Sequence, residues 1–430
     1  MKLNKWTIAG STILVVSGLA PWTVGYVTEQ QWLQATEEVN QAQPFVHMET
    51  REYDRGVMGA EASGIVTFID PATGERHEVA FDATVSHGVT GSLMDFQPRS
   101  GWQPEGASWF PESAPRLTLE TRLWGSAVME FEAPVTIIES AEGASTFRSS
   151  GGLVRLDVSD LGEHAEFLMV WPGFVMDGPE WQVRVEGVQV EQTLDWLSGQ
   201  LWTGPGSMAV ETVSLDRAPA PGLVIRGLTI DSESDANDAG SRLDSRMALA
   251  LDSVQWSDEA YGPHKLTVAV DNLDVASWND FMEAMADMQA LSAQHSDDPG
   301  AVFEQQMALM GRFSDALRRV AAAGFTLGIP ELLVSTPEGE VLGNLEISHP
   351  ELSDAERDQM LMVMQRLTGT LNLSLPLALA ENYPVLRMQL APLIKEGLLV
   401  RDGERLVMDG RLQDLVLNVN GVEIPLPPLL

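Results

Sequence analysis

From Trp6 to Val27 no side chain is charged, and Lys2 and Lys5 stand just before this run. At about 1.5 Å per helical residue, it exceeds the ~20 residues that cross a hydrocarbon core of about 30 Å. A segment inside lipid must satisfy its own backbone, so such a run has to be helical. It is moderately apolar: Ile8, Ile13, Leu14, Val15, Val16, Leu19 and Val24 are loosened by Gly10, Ser17 and Gly18. Trp6, Trp22 and Tyr26 sit towards its ends, where aromatic rings favour the lipid–water interface.

The same order of basic, apolar and small residues describes a cleaved signal peptide, and Gly18-Leu19-Ala20 resembles its cleavage site. Pro21 would then be the first mature residue. Its fixed φ and missing N–H disfavour the extended binding that a peptidase needs. The reading is therefore an uncleaved anchor over residues 1–28, contacting the bilayer through residues 6–27. The lysines precede the run and Glu29 follows it, so the N-terminus stays cytoplasmic and the body is exported.

The chain of 430 residues can hold a large core or several domains. It has no cysteine, which excludes thiol catalysis and cysteine metal sites. The formal charge of −36 argues against nucleic acid, which needs a positive footprint, and against docking on anionic lipid heads. A hydrated, lysine-poor acidic surface suits a salty medium.

Beyond residue 46 the apolar pattern has the period of strands. Residues 64–69 and 78–85 flank the turn residues Asp70–Gly74, a hairpin signal. Residues 89–115, rich in Gly, Pro, Ser and Trp, read as an irregular excursion. Strands resume from Arg116 to Glu191 and from Ser207 to Val275, with a short helix expected at Thr193–Leu201. Two antiparallel helices are expected over Ser277–Ala293 and Pro299–Ala323. A capping box at Ser353-Asp354-Ala355-Glu356 opens a further helix. Strand alternation runs through Leu371–Ala380, and a helix over Pro384–Glu396 precedes a last hairpin. The fold expected is α+β: the transmembrane helix, then an extended, curved, mainly antiparallel sheet with a helix pair and further helices packed on it. Residues 29–276 form its β-rich part and residues 277–430 an α+β part that continues the sheet.

Familiar catalytic signatures are missing: there is no Walker loop, G-x-G-x-x-G, G-x-S-x-G or H-E-x-x-H. Asp231–Arg242 superficially resembles a calcium loop, but Ala236 replaces the glycine and Arg242 the glutamate such loops require. No metal or other cofactor is expected. Met282, Met285, Met288, Met307 and Met310, with Met360, Met362 and Met364 further on, could line an adaptable apolar groove or serve as core packing.

Several stretches resemble the YdgA-like family, proteobacterial proteins anchored in the inner membrane whose domain has no known function. They are Tyr53-Asp54-Arg55-Gly56, Ser86-His87-Gly88, Leu273-Asp274-Val275 with Trp278 and Phe281, and Gly397-Leu398-Leu399 through Asp409-Gly410. With the N-terminal run they span nearly the whole chain in the family's order; the long segment 89–115 departs from it. The resemblance implies an inner-membrane protein with a periplasmic body and implies no reaction. Tyr53, Arg55, Gly56, His87 and Gly88 are expected to be structural, fixing a turn around Gly56 and a strand end before Gly88.

The function expected is non-enzymatic: binding of a lipid-like apolar ligand or an envelope protein. A self-associating scaffold, homodimeric at its simplest, is the alternative. A hydrolase would need polar groups converging on a pocket at His87 or another histidine.

Overall fold

The computed structural model describes residues 23–37, 39–40, 45–70, 73–140, 143–257, 259–293, 299–357, 363 and 365–427. Most of the expected anchor therefore lies outside the described residues, as do Met360, Met362 and Met364. Among the described residues no helix is long and apolar enough to cross a membrane. The chain forms two compact units, residues 1–193 and 194–430.

The first described element of the first unit is a helix over residues 23–37, here α1. Strands β1 (Val46–Arg55), β2 (Gly59–Ile69), β3 (Arg76–His87), β4 (Gly91–Pro98), β5 (Arg116–Arg122) and β6 (Ala127–Ala133) follow. Each pairs antiparallel with the next. Then come β7 (Thr136–Glu139), β8 (Thr146–Ser149), β9 (Gly152–Ser159) and β10 (His164–Asp177). β6 pairs with β9, and β10 with both β9 and β8. The expected β2–β3 hairpin is present, its turn closed by the Gly74 N–H donating to the Asp70 carbonyl at 2.7 Å.

β2 and β3 bury small residues, Ala60, Ala62 and Ala83, on the face that meets α1. Without long side chains there, the helix can approach closely enough for Trp32 to reach Phe81 and Phe96, with ring centroids 6.3 and 5.7 Å away. The Trp32 indole N–H donates to the Thr50 hydroxyl at 2.8 Å, so the ring's polar edge is satisfied too.

The segment expected to be irregular splits in two. Residues 91–98 are the strand β4, with Met94 fully buried, and irregular chain begins only after Pro98. Ser92 at a buried position and Asp95 on a half-buried one broke the apolar alternation that marks a strand.

The strand β11 (Trp181–Ser198) contains the division between units. It replaces the helix expected at Thr193–Leu201. Leu194, Leu197 and Leu201 have helical spacing, but Gly199, at φ +58°, turns the chain into β12 (Leu201–Arg217).

In the second unit β12 pairs with β13 (Ala220–Ala236), β13 with β14 (Arg242–Leu251), and a small hairpin, β15 (Ser253–Trp256) and β16 (Glu259–Tyr261), adds to β13. The acidic run from Asp231 is thus strand as far as Ala236, turning only at Asn237–Ser241. β14 pairs with β17 (His264–Asp274), which leads into α2 (Val275–Ala293) and α3 (Pro299–Ala323). The sheet continues through β18 (Phe325–Thr336), β19 (Gly339–His349), β20 (Thr368–Pro376) and β22 (Arg405–Gln413), with β21 (Val400–Asp402) also on β22. β23 (Val416–Val419) and β24 (Val422–Pro425) finish it. All these pairings are antiparallel, so the fold is mainly antiparallel sheet with few helices.

Two expectations shift here. Pro376 has no N–H for the ladder and ends β20, so Leu377–Asn382 is helical rather than strand; Pro384–Lys395 follows as a second helix. The capping box holds in one direction. Glu356 accepts from the Ser353 N–H at 3.1 Å and from its hydroxyl at 2.7 Å, and the described helix there is Asp354–Arg357.

Met94 has no exposed surface, whereas Met310 is more than half exposed. Met94→Ala should cost about 2–5 kcal/mol in urea unfolding, and Met310→Ala no more than about 0.5 kcal/mol. Equal costs would contradict this packing.

Candidate functional site: a polar latch between the first helix and the sheet

α1 runs from the end of the sheet where the β1–β2 and β3–β4 turns lie, at Gly25 and Thr28, towards the middle of the strands at Trp32. Those turns are tight, each closed by a glycine N–H: Gly56 to the Gly59 carbonyl and Gly88 to the Gly91 carbonyl, both 2.8 Å. The His87 N–H donates to the Met58 carbonyl at 2.9 Å, tying one turn to the other.

Strand alternation places His87 on the buried face with Phe81, Ala83 and Val85. One residue pair across, β4 presents Ser92. The Ser92 hydroxyl lies 2.9 Å from His87 Nδ1 and 2.7 Å from the Thr28 hydroxyl of α1. Thr28 is also 3.4 Å from the Thr121 hydroxyl of β5. His87, Ser92, Thr28 and Thr121 are all buried. Helix and three strands thus share one chain of hydroxyls and an imidazole.

His87 Nε2 has no hydrogen-bond partner and faces Gly25. A Cβ at residue 25 would stand 2.7 Å from that nitrogen, so only glycine lets α1 lie this close. Burial first, and then the positive charge of Arg55, hold His87 below its ordinary pKa. The ring is kept neutral.

Beside this chain, Arg55 at the end of β1 forms a 2.8 Å ion pair with Glu29 of α1. The Arg55 guanidinium also lies 5.4 Å from the centre of the Tyr26 ring. The Tyr53 hydroxyl is buried without a partner, and its pKa is pushed up to about 12, chiefly by burial and then by the Glu29 carboxylate.

The five motif residues therefore gather at one junction. Arg55 reaches across to α1, and the Gly56 and Gly88 turns close through their own backbones. Pattern reading missed Gly25, Thr28, Glu29 and Ser92. The one available signal was that Ser92 shares the alternation of Met94 and Phe96.

The Ser92–His87 distance would suit a nucleophile and its base. Ser92 is only 2% exposed, however, and Thr28 covers its oxygen. The arrangement as it stands binds the helix.

The methionines lie elsewhere. Met282, Met285 and Met288 on α2 are half-buried, while Met307 and Met310 on α3 are more than half exposed. Between these helices lies a cavity of about 240 Å³ lined by Asp280, Glu283, Ala284, Arg312, Asp315 and Arg319. Arg312 pairs there with Asp287 and Glu283, and Arg319 with Asp280, so its walls are charged. Aromatic contacts of Phe281 with Trp278 and Phe313 pack the helices together beside it.

The family model of a bacterial protein of unknown function (DUF945) matches residues 3–427, and the chain belongs to that family. Comparison with curated proteins and with solved structures finds no match.

Two outcomes test the latch. Gly25→Ala should destabilise the chain by about 1–3 kcal/mol through overpacking against His87, and by distinctly less in a His87→Ala background where the space is open. Additive costs would place Gly25 out of contact with the ring. The unfolded state, with an ordinary histidine, binds more protons than the folded one below about pH 6.5, so His87 makes stability fall as pH drops through that region. His87→Asn should therefore show a smaller loss of urea midpoint than wild type between about pH 7 and about pH 5. An identical loss in both would mean that His87 charges freely in the fold.

Proposed function

We propose that this chain is a single-pass envelope protein of the inner membrane. The uncharged run before α1, residues 6–22, is its anchor, since Gly25 already packs on His87 of the body; the N-terminus is cytoplasmic and the body periplasmic. The observation that carries the reading is the latch. The described part of α1 overlaps the end of the uncharged run, and Thr28, Glu29 and Trp32 fasten it to four strands. A chain that only needed a tether would have no use for such a joint. A rigid joint holds the body at a fixed attitude to the anchor. The YdgA-like resemblance supports the same location.

The body acts without catalysis in this proposal. A substrate would have to displace α1 to reach Ser92, at the cost of the buried contacts that hold the unit together. Its work is recognition of an apolar, lipid-like ligand or of an envelope protein, a second copy included. The exposed Met307 and Met310 favour an adaptable protein contact along α3.

A carboxy-terminal alkaline phosphatase fusion in a bacterial host should be active, and the full chain should stay in the membrane pellet after an alkaline wash. An inactive fusion or release into the supernatant would end the proposal. Photo-crosslinking from position 307 in intact membranes should yield a discrete adduct that position 73 does not.

A further inference from the structure

The end of the first unit that meets α1 is also where four hairpins turn. They join β1 to β2, β3 to β4, β5 to β6, and β9 to β10. Their tips carry Val57 and Met58, Val89, Leu123 and Trp124, and Leu161. All six are exposed, Met58 by 68%, Trp124 by 62% and Leu161 by 82%.

The tips are contiguous. Met58 is bonded to His87 through the backbone, and the Leu123 N–H donates to the Thr90 carbonyl at 3.0 Å. Leu161 lies over Gly125, where a Cβ would collide with it. Tyr26 of α1, half exposed, extends the same surface.

Leu161 is the sharpest anomaly. Its φ is +59°, a left-handed conformation that suits glycine or asparagine. A leucine held there, touching Gly125 and otherwise left in water, gains little from the fold of the unit itself. The opposite end provides a contrast: its tight turns hold Asp70, Thr73 and Glu75, then Ser140 and Ser145, then Glu180. Among the described residues the far end exposes Phe45 and Phe68 beside its polar turns, whereas at this end six apolar side chains stand on the tips of four adjoining hairpins. In a chain of formal charge −36, so many apolar tips together call for an apolar environment at that end.

We infer that these hairpin tips dip into the interface of the bilayer that the uncharged run crosses; the inference rests on the anchor reading. The run ends at this surface, since Gly25 and Thr28 of α1 pack on His87, Ser92 and Thr121 of the strands that carry the tips. The face is therefore brought to the membrane by its own chain. Trp124 and Tyr26 suit the headgroup level, and the aliphatic tips suit the acyl boundary just beneath. Asp160 and Glu163 flank Leu161 and stay at the aqueous rim. Because the contact is apolar, it needs no anionic lipid and withstands salt.

The chain lacks cysteine, so Met58→Cys, Leu161→Cys and, as the control at the far end, Thr73→Cys each create a single labelling site. The full chain would be reconstituted in phosphatidylcholine vesicles and each site given a polarity-sensitive fluorophore. Labels at 58 and 161 should lose fluorescence to a lipid nitroxide near the headgroups and resist aqueous iodide, while the label at 73 does the reverse. Iodide quenching at 58 and 161 equal to that at 73, with the chain still held through an alkaline wash, would overturn the inference and leave the anchor standing. Labels at 58 and 161 shielded from both quenchers would also overturn it, since a protein would then cover the face. Release of the chain by the wash would remove the anchor reading and this inference with it.

Discussion

The first unit depends on how closely a helix can lie on a sheet. Trp32 is the largest side chain α1 contributes to that contact, and it can reach Phe81 and Phe96 only because Ala60, Ala62 and Ala83 leave the strands flat beneath the helix. Larger residues there would lift the helix and leave the indole and Met94 partly wet. Burial of side chains of this size is worth about 1.5–3 kcal/mol each, the largest favourable term the joint has. Gly25 applies the same rule further up the helix, against an imidazole.

Burial on this scale does not fix where the helix sits along the sheet, because apolar contact is nearly direction-free. The polar groups supply direction. A slip of one residue would take Thr28 away from Ser92 and Glu29 from Arg55, stranding buried hydroxyls and separating a half-buried ion pair. Each such loss costs on the order of 1–3 kcal/mol, so other alignments are penalised even when they bury as much surface. Keeping His87 neutral belongs to the same arrangement. A charged imidazole would face Arg55 in a place with little water.

Much of this fold was legible in the sequence, and the failures have physical causes. Helices α2 and α3 were legible because long apolar-periodic runs have few other solutions, and the β2–β3 hairpin because its turn chemistry is local. Strand β4 was hidden because the latch needs a serine where a sheet core would take valine. Leu194, Leu197 and Leu201 suggested a helix because strand and helix spacings coincide over short runs, and Gly199 decided between them. At the site, the motif residues were visible as a group but their partner was not. Thr28 gains meaning only when α1 is brought across some sixty residues of intervening chain to Ser92, and Glu29 only when it meets Arg55.

The cavity between α2 and α3 bears on how the body could recognise anything apolar. A hydrophobic ligand entering it would separate Arg312 from Asp287 and Glu283, and Arg319 from Asp280, or bury those pairs with it. Desolvating paired charges costs several kcal/mol per ion, more than a small apolar surface returns. The charged lining thus works against a lipid in that place and leaves the outer side of α3 as the apolar contact. Met307 and Met310 lie there, exposed, on a helix whose inner side is already filled by Leu309, Ala316 and Val320. Their thioethers can adapt to an irregular partner without disturbing that packing.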